Sequence, residues 1–328
     1  MTDFRSLETF VWVATLGSFR GAAAKLNTTQ PAVSQRIAKL ELDLGLKLIE
    51  RQSRSAHPTE KGRELLSYAE RLLKLRSEMR AALADRNAVR GVLRLGVSET
   101  IVHTWLPRFI ERVHATHPRL ALEIDVDISP NLRNRLVAQE IDLAFLLGPL
   151  SSPTIRNRAL CRFPLAFLAS PKLDLPQGPV SLGALARHPI ITFSRGTQPY
   201  VAVNGMFSQP HLPPIRLHAS ASLAPVVRMA VDGIGIAVIP PAIVADELKA
   251  GRLRIVEADA VIPDLGFTAS WPMTPDGFAA EQLADIGVAI AQEDQQRRLV
   301  HLLPSEEAGE GKRTSKTPTI RRTYRQRS

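Results

Sequence analysis

The sequence predicts a chain built in two styles: an all-α N-terminal winged helix-turn-helix unit with a long linker helix, followed by a two-lobed α/β domain. Three observations carry this. Residues 20–41, RGAAAKLNTTQPAVSQRIAKLE, read as two short helices around a tight polar turn. Leu65, Leu72 and Met79 recur every seven residues, each followed three positions later by Tyr68, Leu75 and Ala82. From residue 91 onward, apolar runs of strand length alternate with helical stretches.

The first helix takes its apolar face from Phe4, Leu7, Phe10, Val11 and Ala14. Ser18 is an N-cap for the second, where Ala22, Ala23, Ala24 and Leu26 supply helix propensity and a small face that lets helices approach closely. Asn27, Thr28 and Thr29 break the pattern, and Pro31 sits in the opening turn of a third helix that runs from about Gln30 to Glu41. Val33, Ile37 and Leu40 form its buried stripe, which leaves Gln30, Ser34, Gln35 and Lys39 on or beside the other face. Gln pairs bidentately with adenine, Ser reaches either base type, and Arg36 and Lys39 suit phosphate or guanine. At about 18 Å such a helix can lie across a DNA major groove. A helical hairpin with a merely solvated face has the same local pattern.

Gly45 ends the third helix in a turn, Leu46, Leu48 and Ile49 follow, and Arg51, Arg54 and His57 fall on a wing whose cations would hold phosphates. A solvated polar loop is the alternative, and for Arg54 the sequence does not choose. Thr59 caps a helix predicted to reach Arg86, about 40 Å long. Its heptad seam of Leu65, Tyr68, Leu72, Leu75 and Met79 suits pairing of two chains, although packing on the first helix of the same chain suits some of these residues too. A dimer would present two recognition helices about 34 Å apart, or a multiple of that, to a roughly palindromic site.

The net charge of +10 is segregated. Residues 1–90 hold 16 basic against 10 acidic side chains, residues 305–328 hold 7 against 3, and residues 91–304 are balanced at 19 each. A polyanionic partner for the N-terminal part follows. No run of about 18 apolar residues exists to span a membrane. MTDFRSLETF carries Asp3 and Glu8 without an apolar segment, so the expected location is the cytoplasm. Cys161 stands alone, which excludes an internal disulfide and a cysteine-based metal cluster; beside Leu160 and Phe163 it reads as a small buried hydrophobe.

From Phe4 to Gly62 the chain resembles the LysR-type transcriptional regulators, most specifically in QPAVSQRIAKLE followed by LGLKLIER. Ile49 departs from the usual Phe and keeps the packing apolar. The resemblance extends more loosely to about residue 295. It implies a winged helix-turn-helix over residues 1–58 and a dimerising linker helix over residues 59–90. It further implies an effector domain of periplasmic-binding-protein type over residues 91–296, and often a tetramer of two dimers. Promoter DNA would contact Ser18, Arg20, Thr28, Thr29, Gln30, Pro31, Ser34, Gln35, Arg36, Lys39, Arg51 and Arg54.

The α/β part also reads without the family. VLRLGVSE, LALEIDVDI and IDLAFLLG are strands separated by helices at 104–116 and 130–139; FPLAFLAS, HPIITF, IRLHAS and GIGIAVIP form a second series with a helix at 222–232. LGFTASW then returns to a helix ending near Gln296. This predicts parallel sheets with helices on both faces. Lobe I would comprise about 91–161 and 266–296, and lobe II about 162–265, with a cleft at the carboxyl ends of the strands. Ser98, Thr100, Ser129, Thr192 and Ser194 stand at such ends, where hydroxyls and helix N–H groups cradle an anion. Arg195 could add charge, and each hydroxyl could instead be an N-cap, Ser129 before Pro130 above all. The resemblance places the effector contacts at these positions.

No catalytic pattern accompanies them. Glu99 and His103 lack a third metal ligand, and Gly233-Ile234-Gly235 precedes a strand and reads as a turn. The expectation is a regulator without enzyme activity, cofactor or metal, controlled by a small-molecule effector. A solute-binding protein using only the α/β region is the alternative. Residues 297–328, basic and poor in apolar side chains, are expected to be a disordered tail.

Overall fold

A computed structural model describes residues 3–52, 55–83, 91–152, 154–176, 178–274 and 277–302 of the chain. Its N-terminal headpiece consists of α1 (Phe4–Leu16), α2 (Phe19–Lys25), α3 (Gln30–Leu44), a hairpin of β1 (Ile49–Gln52) and β2 (Ser55–Pro58), and α4 (Glu60–Leu83). Ser18 and Thr29 cap α2 and α3 through bonds from the N–H of Gly21 and Ala32. Val33, Ile37 and Leu40 are buried with Leu7, Phe10, Val11 and Trp12 in one core. The third helix runs to Leu44 rather than Glu41, because nothing interrupts it before Gly45 takes the left-handed conformation (φ 66°) that closes a helix.

Thr59 opens α4 as expected, its Oγ1 accepting from Gly62 N at 2.9 Å. The described helix ends at Leu83, so the predicted stretch to Arg86 lies outside the described residues. Ala69 and Leu73 are buried against the headpiece core, with Leu65 partly packed on it. Tyr68, Leu72, Leu75 and Met79 are exposed, at 55%, 47%, 62% and 54%. One face of α4 thus serves its own chain and another is left apolar and open.

Lobe I contains β3 (Gly91–Val97), α5 (Glu99–Val102), α6 (Leu106–Thr116), β4 (Leu120–Val126), α7 (Ser129–Val137), β5 (Leu143–Leu147) and β6 (Ile155–Phe163). Lobe II contains β7 (Ala166–Ala169), α8 (Leu182–Leu185), β8 (Ile190–Phe193), α9 (Gln198–Phe207), β9 (Leu217–Ser220), α10 (Leu223–Val231), β10 (Ile236–Ile239), α11 (Ala245–Lys249) and β11 (Arg254–Val256). The chain returns to lobe I through β12 (Leu265–Pro272) and α12 (Phe278–Leu302). The sheets are ordered β4-β3-β5-β12-β6 and β11-β7-β10-β8-β9.

Three expectations are corrected. The sheets are mixed, not parallel: β12 runs antiparallel to β5 and β6, and β7 antiparallel to β10 and β11. The crossovers cause this, because β6 leaves lobe I where β12 enters it, and β7 enters lobe II where β11 leaves. The helix predicted at 104–116 is two pieces, α5 and α6, parted around Trp105, with Pro107 in the first turn of α6. The last helix continues past Gln296 to Leu302, since no Gly or Pro stops it before Pro304 and Arg298 reaches back to Asp294 at 2.5 Å. Thus the start of the predicted tail is helical, and residues 303–328 lie outside the described residues.

Candidate nucleic-acid interface and interlobe cleft

The outer face of α3 is built by what the inner face buries. Gln30, Pro31, Gln35 and Lys39 are exposed and Ser34 and Arg36 half-buried. Gln30, Ser34, Gln35 and Arg36 donate and accept no side-chain hydrogen bond among the described residues, so their polar atoms are available to a partner. Arg20 and Thr29 are exposed, and Ser18 and Thr28 half-buried, around the same end of the helix pair. Arg51 stands in β1 opposite Ala56, while Arg54 lies outside the described residues.

Glu41, which sequence reasoning passed over, fixes the wing to this helix. Its Oε1 accepts from the N–H of Leu48 (2.8 Å) and Ile49 (3.2 Å), and Lys47 Nζ donates to its Oε2 at 2.9 Å. Burial pushes its pKa up, but these N–H donors and the Lys47 ammonium outweigh burial and hold the carboxyl below its ordinary value of 4.5. Thr59 Oγ1 donates to Lys47 O at 2.8 Å. A Cβ at Gly62 would overlap Leu48 O, so only glycine lets α4 approach this turn so closely.

Between the lobes, Ser98, Thr100 and Ser129 come together as expected, in a closed cleft whose cavity is about 40 Å³, room for a few waters. Ser98 Oγ and Ser129 Oγ lie 3.1 Å apart, and Ser129 Oγ accepts from Leu147 N at 3.0 Å. Ser129 is therefore no N-cap, since its hydroxyl bonds another strand's end. Thr192 and Ser194 do not join them. Thr192 is fully buried and donates to Val238 O at 3.0 Å, its side chain spent on holding β8 against β10. Ser194 lends its carbonyl to the turn into α9, accepting from Thr197 Oγ1 at 2.6 Å, and Thr197 lines the cavity in its place. Arg195 is exposed outside that lining.

The decisive residue of the cleft is Glu99, whose carboxylate crosses from lobe I to the N-terminus of α10 in lobe II. Ser222 Oγ donates to Glu99 Oε1 at 3.0 Å and Leu223 N donates to Oε2 at 2.7 Å, with His103 Nε2 3.5 Å from Oε1. The helix end that could have cradled a ligand anion already holds one from the protein. Among the described residues, no group of three or more His, Cys, Asp or Glu could hold a metal ion. Burial pushes the Cys161 thiol up to about 12, as a structural rather than a reactive cysteine requires.

Two family models match this architecture, "Bacterial regulatory helix-turn-helix protein, lysR family" over residues 4–63 and "LysR substrate binding domain" over residues 86–292. The chain belongs to the LysR family of transcriptional regulators. The regulator is 30% identical to the HTH-type transcriptional regulator BbuR of Bordetella bronchiseptica, over 82% of each chain. It is 28% identical to GltR of Bacillus subtilis, over 77% of this chain and 84% of the relative. Among solved structures it resembles full-length LysG of Corynebacterium glutamicum with bound effector Arg, with a TM-score of 0.60 and 22% identity over 89% of this chain and 99% of that one. ArgP of Mycobacterium tuberculosis gives a TM-score of 0.59 at 22% identity, covering 89% and 98%. The regulator accordingly binds DNA through its helix-turn-helix and carries an effector-binding domain. Among the described residues, no helix is long and apolar enough to cross a membrane.

Proposed function

We propose that this regulator reads promoter sequence through Gln30, Ser34 and Gln35 of α3, with Arg36, Lys39, Arg51 and Arg54 on the phosphates and Ser18, Arg20, Thr28, Thr29 and Pro31 setting the approach. The carrying observation is that row of polar side chains without intramolecular partners, above a stripe fully committed to the core. It acts by binding, not catalysis, in the cytoplasm, as a dimer joined through Tyr68, Leu72, Leu75 and Met79, with Leu65 shared between that seam and its own core. A small-molecule effector in the cleft takes the place of a cofactor. The two charged liners of the cavity, Glu99 and Asp127, are both carboxylates, which favours an effector that is neutral or carries a cationic group. LysG, whose structure holds Arg, is a relative in fold with an effector of that kind. Entry of the effector displaces Glu99 from α10, and the lobe rearrangement changes the angle between the paired headpieces.

A gel shift of the full chain on the DNA upstream of its own gene, run across a salt series, tests the reading. Retarded, sequence-selective complexes at moderate salt are the expected result; binding that competitor DNA of random sequence removes completely would overturn it.

A further inference from the structure

A second cavity lies between the headpiece and lobe I, remote from the cleft residues. Its volume of about 330 Å³ is within the range of small-molecule sites. The headpiece contributes Trp12 of α1 and Lys25 at the end of α2; lobe I contributes Leu93, Arg94, Gln139 and Asp142. Two of these residues have unmet needs. Trp12 is 1% exposed and its Nε1–H is buried without an acceptor; Gln139 Oε1 is buried without a donor. Native proteins leave few such groups unsatisfied, and a donor and an acceptor on residues lining one roomy cavity are what a ligand would satisfy.

The charges define that ligand. Arg94 is committed within the wall, donating to Asp142 at 2.7 Å and to Gln139 O at 3.1 Å. Lys25 Nζ lies 4.8 Å from the centre of the Trp12 ring and has no carboxylate partner among the described residues. An ammonium and an indole N–H on the headpiece side, an amide oxygen on the lobe side and apolar side chains from β3, β4 and α12 between them form a site polar at both ends.

We infer that this cavity binds a small monocarboxylate with an apolar body and a hydroxyl at its far end, the carboxylate on Lys25 and Trp12 and the hydroxyl donating to Gln139. Because the two ends belong to different domains, occupancy ties the helix-turn-helix to lobe I. The site stands independently of the DNA and cleft assignments.

Calorimetric titration of the full chain with 4-hydroxyphenylacetate tests it. Saturable one-to-one binding is expected, weakened about tenfold or more by Lys25→Met and by Trp12→Phe, the effect of losing one charge-assisted or buried hydrogen bond. The neutral 4-hydroxyphenylacetamide is expected to bind at least tenfold more weakly, and Ser98→Ala with Thr100→Val to leave the affinity unchanged. Lys25 is only half-buried, so its variant remains decisive if Trp12→Phe fails to fold. The absence of saturable binding, which would leave the cavity to water, or binding indifferent to Lys25→Met, or binding lost in the cleft variant would each overturn the inference.

Discussion

Glu41 carries an unusual share of the headpiece's geometry for one side chain. It terminates two strand N–H groups and a lysine that α3 alone would leave to water. Its carboxyl is held below 4.5, so its stabilisation is present above that value and is lost as pH falls through the lower folded value. Thermal unfolding of the regulator followed between about pH 3 and 6 is expected to show stability rising with pH. In Glu41→Gln that rise should be shallower and the plateau lower by about 1–3 kcal/mol. Cys161 makes the opposite point. With its thiol pushed up to about 12 by burial, it should resist iodoacetamide at pH 8 in the folded chain and react promptly once guanidinium unfolds it. Its inertness was legible from its apolar neighbours. The work of Glu41 was not, because its partners lie seven and eight residues away across a turn.

Among the elements, α4 divides its labour between two faces. The heptad spacing made the open stripe of Tyr68, Leu72, Leu75 and Met79 readable, but not the neighbouring stripe of Ala69 and Leu73 that α1 covers. Periodicity identifies apolar faces, and only packing says which partner each one meets. The two faces should respond differently. Leu73→Ala is expected to destabilise the fold by about 2–5 kcal/mol as seen by chemical denaturation. Leu72→Lys with Leu75→Lys should leave the fold intact while sedimentation shows monomer in place of dimer. Unchanged mass in the double variant would remove α4 from the dimer interface. The mixed sheets teach a related lesson: strand lengths and apolar runs were legible, but direction depends on which strands cross between lobes.

At the scale of the whole molecule, the lobes are tied by a bond that no local pattern contains. Glu99 meets Ser222 and Leu223 from 123 and 124 residues away. In the sequence it appeared only as half of an incomplete metal pair, whereas Ser98, Thr100 and Ser129 were recognisable because strand ends are where such sheets bind ligands. Glu99→Ala is expected to free the N-terminus of α10, so that the Leu223 amide exchanges with deuterium at least tenfold faster and the lobes separate in small-angle scattering. Unaltered exchange would mean that the lobes are held by packing alone.

The central claim remains that α3 reads bases while the wing holds phosphates, and selection of binding sites from randomised DNA tests it most directly. Gln30→Ala and Ser34→Ala should shift the selected sequence at the positions they face, by about 1–3 kcal/mol of discrimination. Arg51→Ala should select the same sequence, bind all sites more weakly and reduce the salt slope by about one. An unchanged selected site in both α3 variants, or a new one in Arg51→Ala, would contradict the account.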